Sequence, residues 1–499
     1  MVLRSRLTLV VVFLSSLVCG QDSHVHEAPE QLGQVSFAIS CTSDVQQEFN
    51  RGVALLHSFA YTAAQEAFRH VAGGDPHCAM AHWGIAMTNF HQLWEPPIRA
   101  TATAAAQQEI DTAVRIGSGT ERERGFIRAA TVIFHHANTI PYATRVANYE
   151  RAMAEVAAQN KTDVESQVFY ALALLSDASR SDKTHAHQKQ AADLLEPLFR
   201  VYSHHPGIPH YLIHAYDNAE LAPRGLTAAR DYARIAPSAP HALHMPSHIF
   251  TRLGLWQDSI SSNTAARDAA HRAGDTGEEL HAMDYLVYAF LQTGRDLDAA
   301  KVIHDLRAMP TLDTTDFKIG YAATAIPIRY LLERQQWAEA ASVVPCTPTP
   351  PHVTAIAIWA RGIGLARSGH PDDASRSVRD LHAIELQLQA TGDAYWSAQV
   401  RIMRREVMAW SAQGQNKQDD AVALMRLAAE EEDSIEKLPV TPGPIIPARE
   451  QLGQLLLEQR RPGLAVREFQ TALANAPGRL GSARGAAKAA QRSGPKSIR

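Results

Sequence analysis

The hydrophobic positions of this chain recur with helical spacing, in blocks that are separated by short polar turns. Stretches such as "YLVYAFLQTGRDLDAAKVI" and "YLLERQQWAEAASVV" each contain an apolar helical segment, a polar turn and a second helical segment rich in alanine. Few runs alternate with period two, and Ala, Leu, Arg, Gln and Glu dominate, which favours helix over strand. The pattern predicts an all-α protein made of consecutive helical hairpins.

Two segments near the ends of the chain share one spaced set of small, small, aromatic and proline positions. The two sets are Gly52, Ala64, Phe68 and Pro76, and Gly453, Ala465, Phe469, Ala472 and Pro477. The first set has spacings of 12, 4 and 8 residues, as in a tetratricopeptide unit of about 34 residues. Small residues let the two helices of a unit pack closely, the aromatic ring fills the gap, and proline ends the second helix.

These sets resemble the repeat of the tetratricopeptide-repeat (TPR) superfamily, most clearly at the two ends and more weakly across most of residues 45–495. The stretches "LLHSFAY", "CAMAHWGIAM", "HMPSHIF" and "PARE" are also similar to a group of exported bacterial repeat proteins. The resemblance implies a TPR-like helical-hairpin solenoid, a right-handed superhelix with degenerate middle repeats. It also implies a concave groove, lined by the first helix of each unit, that binds a peptide or protein partner. A fold does not by itself assign chemistry.

Five parts of the chain are predicted. They are a signal peptide at 1–20, an N-terminal extension at 21–44, an N-terminal TPR-like solenoid with histidine-rich inner helices at 45–310, a C-terminal TPR-like solenoid at 311–480, and a capping helix with a tail at 481–499. Proline-rich breaks at "CTPTPPH" and "LPVTPGPIIP" mark loops or changes in the superhelical path.

The first twenty residues are typical of a secretory signal, because two arginines precede an apolar run from 7 to 18. We expect cleavage after Gly20. Lipoprotein anchoring would use Cys19, but Val18 is bulkier than the small residue expected before such a cysteine. No other segment reaches the roughly 20 apolar residues that a membrane span requires. We therefore expect export to the periplasm or the extracellular space, and no transmembrane segment.

Composition and cysteines add two constraints. A chain of 499 residues with 45% hydrophobic residues and a net charge of −4 is typical of a globular protein, and it has no basic footprint for nucleic acid. Disulfides persist in an oxidising compartment. Cys41 opens the first helical stretch and Cys78 closes the helical pair that follows, so we predict a disulfide between them. Cys346 is left over.

Histidine is the unusual residue of this chain. Nine of its 24 histidines lie between His204 and His281. His210 and His214 are four residues apart on one face of a predicted inner helix, and the next two inner helices begin near His248 and His281. His244 precedes His248, but Pro246 separates the two, so they are not expected to form a regular helical pair.

We predict that His210, His214, His244, His248 and His281 converge on the concave surface and bind one divalent transition metal ion. Nitrogen ligands without sulfur suit zinc, copper or iron. Three acidic residues are candidates to accept hydrogen bonds from these imidazoles and orient them. They are Asp217, Glu220 and Asp284. His57 and His82 are weaker groove candidates.

The alternative for each histidine is an ordinary interior role, with one hydrogen bond to a carbonyl group or packing between helices. The stretch "HYLIH" is not a zinc-protease signature, because Tyr211 stands where the glutamate base should follow the first histidine. Two functions stay open. One is an exported scaffold that binds a peptide or protein, with a structural metal or polar recognition by histidine. The other is a metal-dependent enzyme in which a labile water completes the coordination of zinc, copper or iron.

Overall fold

The computed structural model describes residues 30–93, 98–117 and 119–493. The predicted signal peptide at 1–20 and the last residues of the predicted tail, 494–499, lie outside this part of the chain. Among the described helices, none is long and apolar enough to cross a membrane.

The described residues form helices and connecting loops, with no β-strand among them. In chain order the α-helices are α1 (Gln46–His57), α2 (Tyr61–Gly74), α3 (Ala79–Met87), α4 (Ala100–Ile116), α5 (Glu121–Phe134), α6 (Tyr142–Gln159), α7 (Val164–Asp177), α8 (Ala186–Val201), α9 (Gly207–Tyr216), α10 (Leu226–Ile235), α11 (Pro240–His244), α12 (Pro246–Arg252), α13 (Trp256–Ala273), α14 (Thr276–Gln292), α15 (Asp296–Ala308), α16 (Phe317–Glu333), α17 (Trp337–Ala341), α18 (Pro351–Arg367), α19 (Ser375–Ala390), α20 (Ala394–Gly414), α21 (Gln418–Asp433), α22 (Ala448–Glu458), α23 (Pro462–Asn475) and α24 (Leu480–Ser493). Short 3-10 helices lie at Ser43–Val45 and Ala222–Gly225.

The two end repeats pack as their residue spacing predicts. Phe68 of α2 fits against Gly52 of α1 and Gly84 of α3, and a Cβ added to Gly52 would lie 2.8 Å from the ring. At the other end, a Cβ added to Gly453 of α22 would lie 2.8 Å from the Phe469 ring of α23. Consecutive helices contact one another along the chain. The predicted fold class, an all-α solenoid of TPR-like helical hairpins, is therefore confirmed.

The first nine helices close on themselves, because α1 contacts α9. We call α1–α9 the N-terminal ring. Phe37, in the segment before α1, packs among aromatic side chains of α1, α3, α5 and α7. The Phe37 ring lies within 5.1 to 6.4 Å of the rings of Phe49, Trp83, Phe126 and Phe169. An aromatic cluster around Phe37 therefore forms part of the core of this ring.

The last helices close in the same way, since α24 contacts α14. We call α14–α24 the C-terminal ring. Its inner helices are α14, α16, α18, α20, α22 and α24, and each contacts the next. Hydrogen bonds stabilise this closure. Leu480 N of α24 donates to Gln292 Oε1 of α14 at 2.9 Å, and Trp256 Nε1 of the preceding helix α13 donates to Gly478 O at 3.1 Å.

The centre of the C-terminal ring is filled by the chain itself. The loop between α21 and α22, residues 434–447, which we call the inner segment, crosses the inner helices, and most of its residues from 438 to 446 are buried. Tyr285 OH donates to Pro439 O at 3.1 Å, and Arg329 Nη1 donates to Pro444 O at 3.3 Å. The expected concave surface is thus already covered by a proline-rich segment. A cavity of about 190 Å³ remains beside it.

Helices α10–α13 connect the two rings, and α9, α11, α12 and α14 meet there. The described residues from Gln31 onward form one compact unit. The division predicted between residues 310 and 311 falls in the loop between α15 and α16, two helices that contact each other.

The predicted Cys41–Cys78 disulfide is confirmed, and Cys346 is free and exposed. The bond closes a loop with a sequence separation of 37. A loop of this size stabilises the folded chain by roughly 3 to 4 kcal/mol on the chain-entropy account.

Candidate metal centre

Six buried or half-buried histidines meet at the junction of the two rings. They lie on α9, α11, α12 and α14 and divide into two groups, in each of which the ligand-capable side-chain atoms lie within 4.8 Å of one another. The first trio is His210, His214 and His241, and the second trio is His244, His248 and His281. All five histidines predicted from the sequence are present, but they are shared between two groups. The sixth, His241, was missed.

In the second trio, hydrogen bonds determine which ring nitrogen of His244 and of His248 carries the proton. Met245 has helical backbone angles (φ −52°, ψ −36°), so α12 continues the path of α11 through Pro246. His244 Nε2 and His248 Nε2 therefore lie on one face, 3.0 Å apart. Pro246 stands between these two histidines in the sequence, but the expectation that they do not pair across one helical face was wrong. Proline is well suited to the first turn of a helix, where it need not change the direction of the chain.

The Nδ1 atom of each ring, on the side away from the Nε2–Nε2 contact, faces an oxygen atom. His244 Nδ1 lies 2.6 Å from Asn263 Oδ1, and the Asn263 amide nitrogen donates to Ser259 O at 2.7 Å, which fixes the orientation of the amide. His248 Nδ1 lies 2.9 Å from Asp217 Oδ2. Carbonyl and carboxylate oxygens only accept hydrogen bonds. Both rings therefore carry their proton on Nδ1, and both Nε2 atoms present lone pairs.

Two lone pairs at 3.0 Å cannot form a hydrogen bond, so a proton or a metal ion must lie between them. Burial lowers the pKa of His244 well below 6.5 and lowers that of His248 to about 4. An additional proton is therefore disfavoured near neutral pH. Two nitrogen ligands at about 2.0–2.1 Å from one tetrahedral zinc ion are themselves separated by roughly 3.3–3.4 Å. The observed separation of 3.0 Å is a few tenths of an ångström shorter, so a small movement of the two rings would admit a shared metal ion.

His281 of α14 completes the second trio. Its ring centroid lies 4.2 Å from that of His244, and burial lowers its pKa well below 6.5. The hydroxyl of Tyr285 lies 3.5 Å from both ring nitrogens of His248. Tyr285 also donates to the inner segment, so this group lies directly under that segment.

In the first trio, one ring of the facing pair is fixed by an oxygen acceptor. His210 Nδ1 donates to the backbone oxygen of His57 at 2.6 Å, which leaves a lone pair on Nε2, and His214 Nε2 lies 3.1 Å from it. Burial lowers the pKa of His210 well below 6.5. Gly207 makes the His57 contact possible, because a Cβ there would lie 2.7 Å from the His57 ring. His241 Nδ1 faces Glu278 Oε2 at 3.1 Å.

Of the three predicted orienting carboxylates, only Asp217 contacts a histidine of the trios. Burial would raise its pKa, but Lys437 and Arg252, each 2.8 Å away, hold the pKa well below 3.8. Glu220 instead accepts from Lys189 Nζ at 2.9 Å, and Asp284 accepts from Arg329 Nε at 3.1 Å. Glu220 and Asp284 were predicted as orienting residues only because they lie close to the histidines in sequence. In the structure each is paired with a basic side chain instead.

Two further contacts escaped sequence reasoning, Glu278 behind His241 and Asn263 behind His244. Glu278 lies three residues before His281, but its partner His241 comes from another helix, so no spacing rule connects them. His241 itself carried a signal, since it lies three residues before His244 in "HALHMPSHIF" and so shares its helix face.

A third group lies inside the N-terminal ring and is hydrogen-bonded within itself. His57 Nε2 lies 2.9 Å from Glu165 Oε2, and His205 Nε2 lies 3.0 Å from Glu165 Oε1. Tyr211 OH contacts His57 Nδ1 at 2.9 Å. Each Nε2 thus donates to the carboxylate, and the geometry needs no metal ion. The other weak candidate, His82, contacts Glu109 Oε2 at 2.6 Å near the surface.

The chain matches no protein-family model and no curated protein. Among solved structures it is similar to the APC/C hetero-tetramer Cut9–Hcn1, with 10% identity, 89% of this chain and 76% of that chain covered, and a TM-score of 0.37. It is also similar to the P58(IPK) TPR domain (12% identity, 90% and 98% covered, TM-score 0.23) and to IFIT1 (10% identity, 91% and 96% covered, TM-score 0.34).

These TM-scores are low, and the helices and contacts of the chain itself define its fold. Those contacts define an all-α, TPR-like repeat protein whose two closed rings of helices meet at a buried histidine cluster.

Proposed function

We propose that this chain is an exported helical-repeat metalloprotein that binds a divalent transition metal ion through the second trio. The observation that carries the proposal is the 3.0 Å contact between the Nε2 atoms of His244 and His248, both of which present lone pairs. Imidazole ligands suit zinc, copper and iron. Export is supported by the predicted signal peptide and by the disulfide, which persists in an oxidising compartment.

The test is metal analysis of the full chain purified without a histidine tag, followed by titration of the chelator-treated protein with ZnCl₂. We expect stoichiometric zinc and a loss of affinity of at least about 100-fold in His244→Ala and His248→Ala, because each removes a ligand. His304→Ala is the matched control, since that side chain is 83% exposed and remote from the trios in sequence. Wild-type protein that binds no zinc would refute the proposal.

A second candidate is the peptide-binding scaffold. The inner segment favours it, because the inner helices already hold this stretch of the chain through side-chain hydrogen bonds to its backbone. A partner of the same kind would have to displace this segment or bind elsewhere. We expect a variant with residues 438–446 replaced by Gly and Ser to bind a synthetic peptide of residues 434–447 saturably. A folded variant without binding would remove this candidate.

The metal-dependent enzyme remains the alternative role for the same site. Arg252 and Lys437 line the cavity beside the inner segment and also bind Asp217, so the cavity adjoins the second trio. Catalytic metal sites keep one position open for water or substrate. Azide titrated into the cobalt-substituted protein should change its visible spectrum if such a position exists. An unchanged spectrum would favour a structural metal.

A further inference from the structure

We infer that the six histidines hold two metal ions, one in each trio, so that the junction of the rings is a paired metal centre. The inference rests on the proposed metal binding at the second trio and adds a second site, with His241 as a ligand. The ligand class is a transition metal ion that accepts imidazole nitrogen.

Two rings of the first trio are oriented by oxygen atoms, and the ligand-capable atoms of all three lie within 4.8 Å of one another. His210 Nδ1 lies against the backbone oxygen of His57, which leaves its Nε2 as an acceptor, and His241 Nδ1 lies against the carboxylate of Glu278. The His210 ring is also stacked on Tyr232, with centroids 5.1 Å apart and planes 15° apart. These contacts fix the ring before any ion binds, which lowers the ordering cost of binding.

Each trio also has one carboxylate behind one imidazole. Asp217 accepts from His248 in the second trio, and Glu278 accepts from His241 in the first. Carboxylate acceptors of this kind orient metal-ligating histidines and increase their basicity. Basic residues neutralise both carboxylates. Lys437 and Arg252 bind Asp217, and Lys318 Nζ donates to Glu278 at 2.6 Å. Each trio therefore has one histidine backed by a carboxylate that basic residues neutralise.

The two trios adjoin each other, but together they contain more histidines than one metal ion can bind. His241 and His244 of α11 belong to different trios, with ring centroids 6.0 Å apart, and His214 and His248 are 5.9 Å apart. Zinc in proteins is almost always held by about four ligands, and catalytic sites use three from the protein. Six converging imidazoles match two ions with three protein ligands each.

The test counts bound metal in the full chain without a tag. The chelator-treated protein is titrated with ZnCl₂ by calorimetry, and bound zinc is measured by mass spectrometry after desalting. We expect two zinc ions per chain, one in the double variant H210A/H241A, one in H244A/H248A, and two in the exposed control H304A. Circular dichroism and melting curves show whether each variant is folded.

The outcomes separate this inference from the proposed function. One zinc ion per wild-type chain, retained in H210A/H241A and lost in H244A/H248A, would overturn the second site and leave the proposed function intact. No zinc in the wild type would overturn both. The number of zinc ions bound by the wild-type chain is decisive by itself. The inference can therefore be refuted even if a variant fails to fold. As a second readout, copper(II) in both sites should give a magnetically coupled spectrum, and copper in either double variant should not.

Discussion

The His57–Glu165–His205 cluster and the His244–His248 pair are both buried, yet their ring nitrogens face opposite kinds of neighbour. In the N-terminal ring each Nε2 lies against a carboxylate oxygen of Glu165, at 2.9 and 3.0 Å. At the junction of the rings the two Nε2 atoms face each other at 3.0 Å. A donor opposite an acceptor is complete, whereas two acceptors need a cation between them. Proximity of histidines is therefore weaker evidence for a metal than what the other nitrogen of each ring contacts.

The largest expected effect is on the acid stability of the metal-free protein. Burial lowers the pKa of five histidines of the trios, to about 4 for His248, while the unfolded chain titrates near 6.5. Below pH 6.5 the unfolded state binds protons that the folded state does not. Its free energy of unfolding should then fall by about 1.4 kcal/mol per pH unit for each such histidine. Urea unfolding in EDTA between pH 7.5 and 5 measures this, and a flat profile would show that the trios are not neutral.

The next effect separates the two clusters by mutation. Glu165→Ala leaves two buried N–H donors without their acceptor and should lower the free energy of unfolding by about 2–5 kcal/mol. Zinc stoichiometry should stay at the wild-type value, because this cluster is complete without metal. Glu109→Ala, which removes the half-exposed partner of His82, is the matched control and should cost less than about 1 kcal/mol. If folded Glu165→Ala lost its zinc, the metal would belong to the His57–Glu165–His205 cluster, which would contradict this comparison.

Asp217→Asn tests whether the carboxylate that accepts a hydrogen bond from His248 strengthens metal binding by the His244–His248 pair. It should weaken zinc binding about 10- to 100-fold, as loss of such an orienting partner usually does. The matched variant is Asp284→Asn, at an aspartate whose side chain is 0% exposed, against 5% for Asp217, and pairs with Arg329. That variant should lower stability and leave zinc affinity within threefold of the wild type. Equal zinc affinities in the two variants would contradict the role given to Asp217.

The smallest expected effect concerns Tyr285, whose hydroxyl lies 3.5 Å from His248 but donates to Pro439 and Thr441 of the inner segment. Tyr285→Phe should cost about 0.5–1.5 kcal/mol of stability and change zinc affinity less than threefold. A loss of zinc comparable to that of His248→Ala would instead make the phenol a metal ligand.

Much of the fold could be predicted from sequence because the repeat packing is local. Gly52 and Phe68 lie in adjacent helices, so their spacing alone specifies the contact. The closure of the rings could not be predicted, since it depends on contacts such as Gln292 with Leu480, 188 residues apart. The covering of the inner helices by residues 434–447 depends on the same closure.

For the candidate metal centre, too, local contacts could be predicted from sequence and contacts between distant helices could not. The pair His210 and His214 followed from helical spacing, because both residues lie on one helix. The split into two trios did not, since it depends on how α9, α11 and α14 pack, and neither did the partners Glu278 and Asn263. The error at Pro246 arose from treating proline as a helix break, whereas the backbone at Met245 stays helical through it.

The central claim is that the Nε2 atoms of His244 and His248 share a metal ion. The most direct measurement is a crystal structure of the zinc-loaded protein with an anomalous difference map recorded at the zinc edge. The account predicts a peak between these two atoms, about 2.0–2.1 Å from each. An unchanged Nε2–Nε2 contact with no peak between the rings, in crystals grown with excess zinc, would contradict it.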